Sequence, residues 1–176
     1  MTTEPIIESG MTFGPYPTEQ CFYIEKSACY GKLKEGVQMA EFLLLKQQQQ
    51  GPTVWVVEAK SSCPREFNAY MDEIRVKLVN AFLLGLAACI GRHPAAADEL
   101  PQTFKDLNPI STSFRFVLVI KGVPEYHLAV LQSALAALLR PVIKTWAMLP
   151  TSVIVLNEIA AREHGLILPA VETAPR

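Results

Sequence analysis

Glu58 and Lys60 set a carboxylate and an ammonium two residues apart, at the end of the run Thr53-Val54-Trp55-Val56-Val57. In a strand the side chains alternate, so both would point to the same face as Val54 and Val56. A second acid, Glu41, interrupts the preceding apolar run Met39-Ala40-Glu41-Phe42-Leu43-Leu44-Leu45. Between the runs stands Gln47-Gln48-Gln49-Gln50-Gly51-Pro52, a hairpin loop by its length and its Gly-Pro end. A loop symmetric about Gln49 and Gln50 pairs Gln48 with Gly51 and, further along the ladder, Glu41 with Glu58. Directly opposed residues have Cβ atoms about 4.5–5.5 Å apart. Two carboxylates that close repel and titrate abnormally unless a positive charge lies between them. Mg²⁺ or Mn²⁺, held by the hard oxygens of Glu41 and Glu58 with Lys60 beside it, is the expected occupant. Such a site suits phosphodiester hydrolysis: the ion activates water and offsets phosphate charge, while Lys60 orients the water or meets developing charge. The alternative reading is structural, with Glu58 and Lys60 as solvated strand-end charges and Glu41 paired to Lys46 or Lys60.

The elements that must position these residues follow from pattern. Residues 1–20 read as an arm with room for one short strand, and 21–25 as an aromatic, β-branched strand. Residues 37–46 and 53–61 form the hairpin. Pro64 opens a long helix whose apolar positions Phe67, Tyr70, Met71, Ile74, Leu78, Ala81, Phe82 and Leu86 recur at helical spacing, with Gly91 as its stop. Residues 93–108 read as a loop and 113–121 as a strand buried on both faces. A second helix runs from Gly122-Val123-Pro124 through Leu139, with Pro141 breaking or kinking it. A short strand over 151–156 and a final turn or two over 157–164, closed by Gly165, complete the order. The expectation is one α/β (α+β) domain over 21–168, with a flexible tail over 169–176. A strand meander followed by β-α-β-α units builds its mixed central sheet, and helices cover that sheet.

The pattern Glu41…Val54-Trp55-Val56-Val57-Glu58-Ala59-Lys60, followed at once by a helix, resembles the PD-(D/E)XK nuclease superfamily. In that family an acid on the second strand and an acid-x-Lys on the third are matched here by Glu41, Glu58 and Lys60. The resemblance implies a restriction-endonuclease-like fold, a Mg²⁺- or Mn²⁺-dependent nuclease, Glu41 and Glu58 as metal ligands, and Lys60 as the third catalytic group. Ala40 stands where the family has Pro, and Glu41 where it usually has Asp. Glu8, Glu19 and Glu25 are the candidates for its upstream helical acid. The Gln-xxx-Tyr of many exonuclease members is absent, although Tyr70 lies on the matching helix.

Half of the 176 residues are hydrophobic and 19% are charged, a composition that builds a core. Sixteen basic against seventeen acidic residues leave a net charge of −1, so nucleic-acid binding needs a local basic patch. Arg65, Arg75 and Lys77 on the long helix, with Arg92 beyond it, read as a solvated face. Cys21, Cys29, Cys63 and Cys89 show no zinc-ligand spacing and read as reduced, small hydrophobes. His93, His127 and His164 are scattered, and Ser61 and Ser62 are candidate caps for the long helix. The N-terminus lacks the pattern of a secretion signal, and the apolar run 81–90 is shorter than the roughly 20 residues of a span. The expectation is a cytoplasmic chain without a membrane, acting on nucleic acid. The competing function is a non-catalytic module of the same fold, a homodimer or a subunit of a protein complex.

Overall fold

In the computed structural model, which describes residues 1–33 and 35–167, a five-stranded mixed sheet carries helices on both sides. The elements are β1 (Ile6–Glu8), β2 (Met11–Phe13), β3 (Cys21–Phe22), α1 (Ala28–Leu33), β4 (Phe42–Gln48), β5 (Gly51–Lys60) and α2 (Phe67–Cys89). There follow α3 (Pro94–Glu99), α4 (Gln102–Lys105), β6 (Ser113–Ile120), α5 (Glu125–Thr145), β7 (Val153–Leu156) and α6 (Glu158–Glu163). The sheet order is β3-β4-β5-β6-β7, antiparallel from β3 to β5 and parallel from β5 to β7.

Two-residue periodicity divides the strands between two cores. Leu43, Leu45, Val54, Val56, Phe116, Leu118 and Ile120 face α2 and α5. Phe42, Leu44, Trp55, Val57, Val117 and Val119 face the other way, onto the β1–β2 hairpin and α6. Right-handed crossovers stepping in one direction across a sheet leave their helices on the same face, and α2 and α5 share the first core. Gly85 lets α2 come close to the sheet: a Cβ there would lie 2.7 Å from Leu43 Cδ1. Gly51, at φ +110, opens β5 directly after the hairpin turn.

The meander and the alternating units match the sequence expectation, and several local readings need correcting. Within the arm, residues 6–13 form a complete hairpin whose Ile6, Met11 and Phe13 are core residues; the surrounding Pro and Gly mask how apolar its alternate positions are. Residues 37–40 are not strand, and β3 stops after Phe22 at a 3-10 turn over Ile24–Lys26. Residues 28–33 are helical despite Gly31, with the α1 amides of Ala28 and Cys29 held by Glu99 at 2.8 and 2.7 Å. The loop expected at 93–108 holds α3 and α4, which bury Ala96 and Phe104. The long helix starts at Phe67 rather than Pro64, capped by neither Ser61 nor Ser62. Helix α5 runs through Pro141 to Thr145, because tertiary packing of Leu139 and Ile143 outweighs one lost hydrogen bond. At α6 the reading of Gly165 holds, with φ +67 beyond the helix end, and the structure adds an N-cap: Asn157 accepts from the Ala160 amide at 2.9 Å. The tail expected from 169 lies outside the described residues. Helix α5 is long and apolar enough to cross a bilayer by length and composition; here it is the crossover between β6 and β7.

Candidate active site

The hairpin register runs from Gln48↔Gly51 to Phe42↔Val57, the pairing that the symmetric loop predicts. Glu41 stands one residue before β4, next in line for Glu58. Its amide bonds the Val57 carbonyl at 3.0 Å, so the ladder slips by one residue at its end. Glu58 and Lys60 close the C-terminal end of β5, on the side of Val54 and Val56. Crevices at the carboxyl ends of parallel strands are where α/β sheets ordinarily place their sites.

Burial and charge then separate the acids. Glu58 is completely buried and Glu41 is 5% exposed. The Lys77 ammonium, reaching down from α2, donates to Glu58 Oε1 at 3.0 Å. Lys60 Nζ lies 3.4 Å from the same oxygen and donates to Glu73 Oε1 at 2.9 Å. Burial raises the Glu58 carboxyl pKa against the lowering pull of Lys77 and Lys60. Burial disfavours the Lys77 ammonium, but Glu58, Glu41 and Glu73 outweigh it and hold its pKa above the ordinary value. The hydrogen bond from Lys60 keeps Glu73 low. Lys77 is therefore part of the site and not of a solvated face. The register signal misses it, because a helix of 23 residues can aim any of several positions at a strand end.

Glu41 has no such neutralisation. Among the described residues its carboxylate has no hydrogen-bond or ion-pair partner, and its Oε2 is buried. Burial first, then the charges of Glu58, Glu25 and Glu8, push its pKa up to about 9. Glu58 Oε2 is likewise buried without a hydrogen bond. An unpartnered buried carboxylate oxygen is costly and calls for a proton or a cation. The donor set, carboxylate oxygens only, fits a hard cation such as Mg²⁺ or Mn²⁺. The structure brings Glu41, Glu58 and Lys60 to one sheet end, but among the described residues only Glu58 of the two acids has an ion pair, while Lys77 lowers the Glu41 carboxyl only weakly and without contact; mutual repulsion of two bare carboxylates was expected. Lys46 is no partner for Glu41: it donates to the His164 carbonyl and stacks over Trp55 at the other end of the hairpin.

Of the three upstream acids, Glu8 and Glu25 come to Glu41 and Glu19 does not; their oxygens lie within 4.8 Å of one another. Neither is on an α-helix. Glu8 ends β1, and Glu25 sits in the 3-10 turn, where its amide bonds the Glu41 carbonyl at 3.1 Å. The scattered histidines include one with a partner, since His93 Nδ1 lies 3.5 Å from Cys29 Sγ. Burial raises that thiol, which argues against a nucleophile. Tyr70 Oη donates to the Ser62 carbonyl at 3.0 Å and so fixes the loop that leaves β5.

Comparison of the chain with protein-family models, with curated proteins and with solved structures returns no match. The likeness to the PD-(D/E)XK nucleases accordingly rests on three residues and the order of the elements.

Proposed function

We propose that the chain is a divalent-cation-dependent nuclease of restriction-endonuclease-like fold, which hydrolyses phosphodiester bonds of nucleic acid in the cytoplasm. One observation carries the reading: Glu41 and Glu58, both buried at one strand end, each keep a buried carboxylate oxygen free, beside a lysine that reaches the surface. Glu41 and Glu58 would hold Mg²⁺ or Mn²⁺, which when bound acidifies a water and neutralises phosphate charge. Lys60, fixed between Glu58 and Glu73, is placed to orient that water or to meet negative charge on the phosphoryl oxygens. Lys77 acts through Glu58 and is a positioning residue: its bond occupies Oε1 and leaves Oε2 without a hydrogen bond. The test is cleavage of plasmid DNA, single-stranded DNA and RNA in Mg²⁺ or Mn²⁺, with a chelator control. Activity that Lys60→Ala lowers by about 100-fold or more while the fold survives supports the proposal. No cleavage of any of the three by the wild type contradicts it.

The pairing of Glu58 with Lys77 and Lys60 favours a second reading, a non-catalytic module of the same fold. Its partner is a second copy. Helix α5 exposes Tyr126, Val130 and Leu138, with Glu125 near one end and Arg140 and Lys144 near the other, so an antiparallel pair would match opposite charges. Light scattering that shows a dimer, together with no cleavage, selects this reading. A monomer excludes it.

A further inference from the structure

The three acids Glu8, Glu25 and Glu41 come from three separate pieces of chain: the N-terminal hairpin, the 3-10 turn after β3, and the entry to β4. Their carboxylate oxygens lie within 4.8 Å of one another, close to the span across a coordinated Ca²⁺ at about 2.4 Å per ligand. Acids gather at surfaces for many reasons, but this group has a buried floor. Glu41, 5% exposed, aims into it with no hydrogen-bond or ion-pair partner among the described residues. Glu25 Oε2 is also buried without a hydrogen bond; Lys26 Nζ stands 3.4 Å from it, in ion-pair range but not aligned to donate. Lys26 reaches Glu8 Oε1 at 3.8 Å, and its own side chain is 61% exposed. The Tyr23 hydroxyl donates to Glu8 Oε1. Among the described residues one exposed ammonium and one hydroxyl thus bond or pair with these carboxylates, and neither pairs with Glu41.

We propose that Glu8, Glu25 and Glu41 form a binding site for a hard divalent cation that pins the β1–β2 hairpin to the edge of the main sheet. The donors are all carboxylate oxygens, which excludes a preference for soft metals and selects Ca²⁺, Mg²⁺ or Mn²⁺. The hairpin is otherwise tied by Ile6, Met11 and Phe13 in the second core, by Ser9 Oγ to the Ala59 carbonyl at 3.0 Å, and by Lys121 Nζ to the Gly10 carbonyl at 2.9 Å. Those ties hold its tip and its inner face. The cation would hold Glu8, beside that tip, to the 3-10 turn after β3 and to the entry of β4. The site does not rest on phosphodiester hydrolysis and stands if the protein cleaves nothing.

Calorimetric titration with Ca²⁺, Mg²⁺ and Mn²⁺ tests it, paired with hydrogen exchange of residues 6–13 with and without the ion. Wild type should bind at least one of these cations and slow exchange in the hairpin. Glu8→Gln should weaken binding at least tenfold and abolish the hairpin response, while Glu58→Gln should keep that response. Should Glu8→Gln not fold, Glu25→Gln serves in its place, since Tyr23 makes no bond to it. Lys26→Gln should tighten binding several-fold by removing the competing ammonium. A hairpin response unchanged in Glu8→Gln, or absent from the wild type, overturns the site. If binding depends on Glu58 but not on Glu8, this inference fails and the proposed function survives. A hairpin response without any nucleic-acid cleavage leaves the reverse.

Discussion

The two acids at the hairpin end, Glu58 and Glu41, are both buried and oppositely served. Glu58 receives Lys77 and Lys60, because α2 packs over β5 and lowers a lysine stem along its apolar surface. Glu41 receives two further acids, because the edge beside β4 is covered by the N-terminal hairpin and the 3-10 turn rather than by a helix with basic positions. What covers a strand end thus decides whether a buried carboxylate becomes an ion pair or a cation ligand. The same residue type, one strand apart, reaches two chemical states.

Changes that remove one side of this contrast should act in opposite directions. The largest effect belongs to Lys77→Met, which strips the closest partner from a fully buried carboxylate. Removing one partner of a buried pair costs about 3–5 kcal/mol, toward the lower end here because Lys60 remains, and urea unfolding at pH 7 should show it. A loss below about 1 kcal/mol would mean that Lys60 alone neutralises Glu58.

Next comes Glu41→Gln, which should stabilise the protein in chelator by about 1–3 kcal/mol at pH 9. The sign follows from linkage. The folded Glu41 carboxyl titrates near 9 instead of its ordinary 4.5, so the folded state holds a proton that the unfolded chain releases. That stability is present below about pH 4.5 and is lost as pH rises through about 9. Urea midpoints of the wild type should therefore fall between pH 5 and 9.5 more steeply than those of Glu41→Gln. Parallel profiles would show that Glu41 is not protonated in the metal-free fold.

Lys60→Ala should cost no more than about 1 kcal/mol, since Lys60 is partly solvated and Lys77 remains; thermal melts are sufficient. A loss as large as that of Lys77→Met would mark Lys60 as structural. The smallest change is Lys26→Gln, a few tenths of a kcal/mol in chelator, since exposed ion pairs contribute little.

Much of this geometry was legible in the sequence, and its limits have physical causes. The register of β4 with β5 followed from loop symmetry alone, because a period of two leaves no intermediate setting. The meander, the two crossovers and the Gly165 helix end followed from local patterns as well. Lys77 did not, because its role depends on how α2 rotates over the sheet. The meeting of Glu8 and Glu25 with Glu41 was out of reach: three segments far apart in sequence share no period. Helix α5 through Pro141 shows the same limit, since packing of Leu139 and Ile143 outweighs the local rule.

The most direct measurement is an anomalous difference map from crystals soaked in millimolar Mn²⁺. The account places a peak within about 2.0–2.6 Å of Glu41 Oε2, shared with Glu58 Oε2, with Glu8 and Glu25, or with both sets at two positions. A saturated crystal with no peak at Glu41 would leave that carboxyl protonated and alone, and would contradict the account.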